Sequence, residues 1–252
     1  MIENISYHLE TKTLIKKSPD ERILVLGFPG NGLIGTFTLS YIIQHLKMKI
    51  VGEINHPDLP PTVFVENGEI IGPIRVHKKD NIYAIISEIP IYSELSYDFT
   101  KAILAFCIKN KINKVIVPSG VDVQYTDKKD IKTYGLATDQ TLEKLMYEND
   151  IPKFIAGTII GTDAAIITSF RNKHIPLLVL YTSCHPFFPD PQASIHAVTT
   201  LAKILKIQVN TNEIQKRVDY LRIQHRNLMQ ETLDTLYQQE PQLPSKAPPI
   251  YR

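Results

Sequence analysis

The sequence predicts an α/β fold in which a mainly parallel sheet is flanked by helices. Short, continuous apolar runs that end near glycine or proline, such as residues 22–28, are typical of strands buried in a sheet. Longer stretches that repeat apolar residues at helical spacing, such as residues 94–110, lie between these runs. Because the connections between the two kinds of segment are short, their alternation favours parallel strands that are joined by helices.

The elements of the core follow one another along the chain. Buried strands are predicted at residues 22–28, 49–54, 82–89, 114–120 and 175–182, with a further strand or strand-like run at 154–161. Helices are predicted at residues 31–46, 94–110, 135–149, 162–172 and 190–206.

Turn and capping residues mark several of the boundaries. Asn67-Gly68 lies between two apolar runs within residues 61–76, which predicts a β-hairpin and adds an antiparallel element. Asp190 precedes a proline, as expected of a helix N-cap that is followed by proline in the first turn. Asp163 lies near the start of another predicted helix, and capping explains an aspartate there.

Three parts are predicted along the chain. Residues 1–210 form the α/β core domain, and residues 211–238 form one long polar helix that Thr211 or Asn212 caps. The apolar residues of this helix make a narrow seam, which favours packing against one neighbouring helix of the same chain or of another subunit. Prolines then end the helix, so residues 239–252 are predicted to be an exposed, extended tail. The seam consists of Ile214, Val218, Leu221, His225 and Leu228.

Charge and composition argue against several classes of function. The chain of 252 residues carries 28 basic and 26 acidic residues, and its net charge of +2 is too balanced to predict nucleic-acid binding. No apolar run approaches the roughly 18 to 20 residues that span a membrane, and the first residues lack an apolar signal core. The eight histidines show no metal-ligand spacing, and the two cysteines form no paired motif. We therefore expect a soluble cytoplasmic protein without a metal or cofactor.

The sequence GNGLIG fits the pattern of glycines that binds dinucleotides between a strand and a helix. Gly30, Gly32 and Gly35 would let the backbone approach phosphates, and Glu53, at the end of the next strand, would bind the ribose hydroxyls. However, Pro29 stands directly before the loop, and no later group resembles a hydride-transfer site. Two alternatives follow: a nucleotide or small-molecule site, including that of an enzyme, or glycines that permit a tight turn and close helix–sheet packing.

Two further segments carry side chains that catalysis uses. Residues 183–196 bring Ser183, Cys184, His185, Asp190 and His196 close together in the sequence. However, the adjacent Cys184 and His185 point in different directions and make a poor nucleophile–base pair. Residues 118–122 follow a strand end, where α/β proteins often build sites, although a cap and turn explain them equally well. Cys107 lies on the apolar face of a predicted helix and is expected in the core. These groups do not predict an enzyme.

An ordered set of motifs resembles the proteasome assembly chaperone 2 family, particularly its archaeal members. The motifs span about residues 20–205, and the first and last of them carry most of the resemblance. In order, they are GFPGNGLIG, VGEI, PDLPP, SEIP, VPSGVD, GTIIGTDAAII and PDPQAS. The resemblance implies an architecture like that of nucleoside phosphorylases and no catalytic role. It also implies a homo-oligomer, for which a tetramer or pentamer fits the family, and it explains the glycine loop as a structural feature.

The last residues of the sequence are Ile250, Tyr251 and Arg252. They resemble the hydrophobic–tyrosine–any-residue motif that proteasomal ATPases and assembly factors insert between α subunits of the proteasome core particle. Ile250 and the tyrosine ring would fill an apolar slot, and the terminal carboxylate would pair with a cation. Pro248 and Pro249 extend the segment and lower the cost of ordering it. We therefore predict a chaperone or activator that docks on the α-ring, with a scaffold for another partner as a further alternative.

Overall fold

The computed structural model describes residues 7–8, 21–66, 68–122, 131–173, 175–186, 188–210 and 212–216. Within these ranges the strands are β1 (Tyr7–His8), β2 (Ile23–Gly27), β3 (Lys49–Ile54), β4 (Phe64–Glu66), β5 (Glu69–Ile71), β6 (Ile74–Lys79), β7 (Ile82–Ser87), β8 (Lys114–Asp122), β9 (Thr133–Ala137) and β10 (Leu177–Cys184). The helices are α1 (Ile34–His45), α2 (Ser93–Asn110), α3 (Gln140–Glu148), α4 (Gly161–Asn172) and α5 (Pro191–Leu205), and a 3₁₀ turn (Asn31–Leu33) precedes α1.

The main sheet has the strand order β1-β3-β6-β7-β2-β8-β10-β9. Its four central strands, β7, β2, β8 and β10, pair in parallel, and the strands on both sides of them pair antiparallel. The predicted α/β fold, with a parallel sheet between helices, is therefore confirmed. The antiparallel part of the sheet is larger than the sequence predicted, because β6 lies between β3 and β7 and pairs antiparallel with both.

Helices cover both faces of the sheet, and successive residues of the buried strands alternate between the two cores. In β2, Val25 joins a core that includes Phe37 of α1 and Leu201 of α5. Its neighbour Leu24 joins the opposite core with Ile103 of α2 and Phe170 of α4. Burial on both faces explains why these strands are continuous apolar runs in the sequence.

One predicted helix is wrong in part, and one predicted strand is absent. The helix predicted at 135–149 begins only at Gln140, because residues 133–137 form β9, which pairs antiparallel with β10. The run predicted as a strand at 154–161 is not one, and the only bridge described beside it joins Lys153 to Gly135. Its apolar Ile155 is 91% exposed, so the apolar run does not mark a buried strand.

The predicted hairpin is confirmed as the pair β4–β5, which forms a separate two-stranded sheet; Asn67 of its turn lies outside the described residues. A helix starts at residues 212–216, and Asn210 rather than Asn212 takes the cap position; Thr211 lies outside the described residues. The Asn210 side chain accepts a hydrogen bond from the Asn212 backbone N–H at 2.9 Å, and its carbonyl accepts one from Ile214. The rest of the predicted long helix and the tail at 239–252 lie outside the described residues.

Candidate functional site

The loops that follow β2 and β10 meet the last residues of the parallel strand β8. Residues 118–122, which were expected to follow a strand end, belong to β8 itself. The Asn31 side chain donates a hydrogen bond to the Gly120 carbonyl at 3.4 Å. The backbone N–H of Asp190 donates one to the Gly32 carbonyl at 3.2 Å. Ligands commonly bind at this edge of an α/β sheet, so these segments form the first candidate site. The structure thus brings together three segments that the sequence singled out, namely residues 30–35, 118–122 and 184–190.

Atoms of the protein itself fill the space beside two glycines of this site. A Cβ atom on Gly120 would overlap the carbonyl of Asn31 and lie 2.7 Å from the Cys184 sulfur. Gly32 has a φ of +60°, in the left-handed region, and a Cβ atom there would lie 3.0 Å from the same sulfur. The glycines therefore allow the loops to pack against one another.

Gly35 serves the same purpose between helix and sheet. A Cβ atom on Gly35 would lie 2.7 Å from the carbonyl oxygen of Phe28 and 2.9 Å from that of Pro118, so α1 could not approach the strands as closely. Only beside Gly30, among the three glycines of the motif, does nothing lie within 4 Å of such an atom. This geometry favours the packing interpretation of GNGLIG over a phosphate cradle.

The structure does not bring Glu53 to the glycine loop. Glu53 lies on β3, and both β7 and β6 stand between β3 and β2. Three strand spacings separate the two strands by roughly 14 Å at ~4.8 Å each. The Glu53 carboxylate instead accepts a hydrogen bond from the Gly72 backbone N–H at 2.8 Å. The acid and the glycines of the predicted nucleotide motif are therefore not parts of one site.

The surroundings of Cys184 do not activate its thiol as a nucleophile. Cys184 is fully buried, and burial raises the pKa of its thiol, with the Asp190 and Asp122 carboxylates acting in the same direction. The thiol is therefore protonated at neutral pH and a weak nucleophile. Burial lowers the pKa of His196, which lies on α5. Cys107 lies in the core as predicted, and burial raises its pKa to about 12.

Asp190 organises the loop that connects β10 to α5. One carboxylate oxygen accepts from the Ala193 backbone N–H at 3.1 Å, which confirms the predicted N-cap. The other accepts from the backbone N–H of His185, also at 3.1 Å. The carboxylate is thus engaged in holding the chain, which gives the PDPQAS motif a structural function.

Sequence reasoning missed a polar cluster on the opposite face of β8. Ser119 donates a hydrogen bond to the Asp163 carboxylate at 2.7 Å, and Tyr181 lies beside Ser119 in the parallel pairing of β8 and β10. Asp163 was expected to cap α4, but the N-cap position is Ile160, which makes no side-chain cap bond. Burial raises the pKa of Asp163, and the hydroxyls of Ser119 and Tyr181 oppose that shift.

Two classes of site have no support in the described part of the chain. Its histidines, cysteines and carboxylates form no group of three or more that could hold a metal ion. None of its helices is long and apolar enough to cross a membrane. The predicted docking residues Ile250, Tyr251 and Arg252 lie outside the described residues.

The molecule is therefore an α/β protein whose strand-end loops are closed by packing. It belongs to the PAC2 family, whose model matches residues 24–229. This confirms the family resemblance that the ordered motifs indicated. One relative, an uncharacterized protein of Methanocaldococcus jannaschii, is 21% identical over 222 residues, which cover 88% of this chain and 91% of the relative.

Two solved structures from Pyrococcus furiosus share this fold over almost their whole length. PbaA, an archaeal homolog of proteasome-assembly chaperone, superposes with a TM-score of 0.82 at 21% identity, covering 92% of this chain and 99% of PbaA. PbaB, an archaeal proteasome activator, superposes with a TM-score of 0.71 at 15% identity, covering 89% of this chain and 98% of PbaB. At this level of identity the similarity establishes the fold.

Proposed function

We propose that this PAC2 protein is a proteasome assembly chaperone or activator that acts without catalysis in the cytoplasm. The observation that carries the proposal is the sequence Ile250-Tyr251-Arg252 on a chain of this family. The fold shared with PbaA and PbaB supports it, since these are a chaperone homolog and a proteasome activator. The packed glycine loop is consistent with a protein that does not use that loop for chemistry.

The C-terminal residues dock on the α-ring of the proteasome core particle in this proposal. Ile250 and the ring of Tyr251 enter an apolar slot between α subunits, where the phenolic hydroxyl finds a polar partner. The carboxylate of Arg252 pairs with a cation of the ring. Pro248 and Pro249 restrict the free tail, so less conformational entropy is lost when it binds.

Several tails act together if the protein is a homo-oligomer, such as a tetramer or pentamer. One short peptide binds weakly, but tails on one oligomer raise each other's effective concentration at a ring of identical slots. The helix predicted at 211–238 serves as a stalk or as a contact between subunits. Its described start is fixed to the body, because Ile214 is fully buried in the core beside α1 and α5.

Binding to purified archaeal α-rings and core particles tests the proposal. The intact chain, a deletion of residues 250–252 and Tyr251→Ala are compared by sedimentation, and peptide hydrolysis is followed in the same samples. We expect binding only with the intact tail, because the deletion removes the apolar anchor and the positioned carboxylate together. Lys246→Ala is the control, since it changes the tail outside the motif.

The outcomes separate the parts of the proposal. Equal binding by all variants would place the contact on the folded body, and no binding by any of them would remove the proteasome assignment. A rise in peptide hydrolysis with the intact chain alone indicates opening of the gate. Binding to free α-rings without such a rise indicates a function in assembly.

A further inference from the structure

The β4–β5 hairpin displays apolar side chains to solvent. Val65 and Ile70 are direct cross-strand neighbours and therefore lie on the same face of the hairpin. They are 68% and 75% exposed, and the nearby Val63 is 64% exposed. These adjacent, exposed β-branched side chains form an apolar surface that another molecule could cover.

The opposite face of the hairpin is fixed to the body, so this apolar surface is held in place. Ile71 is buried, and the Arg75 guanidinium lies over the Phe64 ring at 5.8 Å from its centroid. The hydrogen bond from the Gly72 backbone to Glu53 ties the end of the hairpin to β3. Both contacts anchor the hairpin beside the C-terminal end of β3, where β6 begins.

The end of the hairpin carries negative charge. Glu66 and Glu69 are both exposed and form a direct cross-strand pair beside the turn, on the opposite face from Val65 and Ile70. Like charges in this position repel each other, which destabilises the isolated hairpin. A cationic surface of a partner would relieve that repulsion.

Exposed lysines lie at the other end of the β3–β6 pair, where β3 begins and β6 ends. Lys49 and Lys78 are exposed and form a direct cross-strand pair of like charge, the counterpart of the glutamate pair. Lys79 is also exposed, and the exposed Asp80 beside it offsets part of the charge. We call the surface formed by these lysines the basic corner. The neighbouring Ile50 is 45% exposed, but its side chain points to the other face of β3.

One copy of the chain cannot bring its two surfaces together. The basic corner lies where β3 begins and β6 ends, whereas the hairpin leaves the sheet after β3 and returns before β6. The two surfaces are therefore separated by the length of a six-residue strand, roughly 20 Å. Only a second copy can place its hairpin on this corner.

We propose that the chain self-associates head to tail, with the hairpin of one copy seated on the basic corner of the next. Glu66 and Glu69, beside the turn of the hairpin, contact Lys49 and Lys78 of the neighbouring copy. The exposed Val65 and Ile70, on the other face of the hairpin, are covered by the same neighbour. Such a heterologous contact generates a ring if the rotation closes. The inference extends the homo-oligomer of the proposed function by naming its surfaces, but it requires neither the tail nor the proteasome.

Paired charge reversals test this contact in the full-length protein without any proteasome present. The first variant carries Glu66→Lys and Glu69→Lys, the second carries Lys49→Glu and Lys78→Glu, and the third combines all four changes. We expect the unmodified chain to be oligomeric by light scattering and analytical ultracentrifugation. Each pair of reversals should raise the apparent dissociation constant at least ~10-fold, and the fourfold variant should recover assembly because every contact is again between opposite charges.

A second pair of variants tests the apolar part. Val65→Ser with Ile70→Ser should weaken assembly, whereas Ile155→Ser is the matched control because Ile155 is 91% exposed and lies outside both surfaces. Thermal unfolding verifies that each variant is folded. A monomeric unmodified chain, or unchanged assembly after the lysine reversals, would overturn the proposal. So would a folded fourfold variant that stays dissociated, and each of these results leaves the α-ring experiment unaffected.

Discussion

The Ser119 hydroxyl donates a hydrogen bond of 2.7 Å to the carboxylate of Asp163, and this contact ties the first turn of α4 to the central strand β8. The carboxylate lies among groups that shield it from water. Burial therefore raises the pKa of Asp163 above its ordinary value of 3.8, although the hydroxyls of Ser119 and Tyr181 favour the charged form. The contact thus holds a carboxylate whose ionisation has a cost in folding stability.

The raised pKa of Asp163 predicts the direction of a pH effect on stability. The folded protein retains this proton at pH values where the unfolded chain has lost it. The contribution of Asp163 is therefore most favourable below pH 3.8, and it declines as pH rises from there through the raised pKa. Asp163→Asn keeps an acceptor for Ser119 and carries no charge. The melting temperature of this variant minus that of the unmodified protein should therefore increase as pH rises from about 3.8 to 7.

Asp98 provides a control, because its pKa is shifted in the opposite direction and its effect on stability should depend on pH in the opposite way. The hydrogen bond from Lys101 at 2.7 Å lowers the pKa of this exposed carboxylate. The stabilisation of Asp98 is thus present at neutral pH and is lost on acidification, so Asp98→Asn should cost a little stability at pH 7 and nothing at low pH. If the melting temperature of Asp163→Asn does not depend on pH relative to the unmodified chain, the carboxylate is not desolvated as described.

The packing function of the glycines predicts that Gly120→Ala destabilises the fold. The added methyl group would overlap the backbone of Asn31 and approach the sulfur of Cys184 to 2.7 Å, and the backbone cannot move aside cheaply. Such overpacking typically costs about 1–3 kcal/mol. Gly30→Ala is the matched control, since its methyl group meets nothing within 4 Å, and it should change stability by less than about 0.5 kcal/mol. Urea unfolding of both variants measures the difference, and equal effects would contradict the packing interpretation.

Much of the fold could be predicted from apolar patterns because the central strands are buried on both faces. That burial makes β2, β8 and β10 continuous apolar runs in the sequence. Strand β9 has no such signal, since TYGLA is only partly buried and is held by pairing with β10. The apolar run at 154–161 gave a false signal, because apolar residues there lie in solvent.

The candidate site was predictable only where its residues are close to strand ends. The rule that loops meet at the carboxyl edge of parallel strands correctly groups residues 30–35 with 118–122. The separation of Glu53 from that loop depends on β6 and β7 lying between β3 and β2, which is a non-local pairing. The contact of Ser119 with Asp163 joins positions that are 44 residues apart, and local spacing gives no indication of it.

The two hydrogen bonds of Asp190 predict a graded effect of substitution. Asp190→Ala removes the acceptors for Ala193 and His185 together and should cost about 1–2 kcal/mol. Asp190→Asn keeps one oxygen acceptor, so it should retain the cap of α5 and lose only part of the stability. Chemical denaturation gives the order, and an alanine variant as stable as the unmodified chain would show that the loop does not depend on this carboxylate.

The buried ion pair of Arg75 and Glu88 provides the strongest mutational effect that we expect. The guanidinium and carboxylate are 2.8 Å apart, with side chains only 6% and 13% exposed. Arg75→Met leaves the carboxylate of Glu88 buried without its partner, which should cost about 3–5 kcal/mol. The double variant Arg75→Met and Glu88→Met removes both charges and should recover most of that loss, since well-packed apolar replacements of buried pairs are often neutral.

The pKa of His77 measures the effect of the Arg75 guanidinium by a method that does not depend on folding stability. Burial, and after it the Arg75 guanidinium, lower the pKa of His77 to about 4. Removal of the guanidinium should therefore raise this pKa part of the way towards its ordinary value of 6.5, because burial still disfavours the charged ring. Titration of His77 by NMR in the double variant, compared with the unmodified chain, measures the shift. An unchanged His77 pKa would mean that the two side chains are not neighbours on β6, and it would weaken the account of how Arg75 anchors the hairpin.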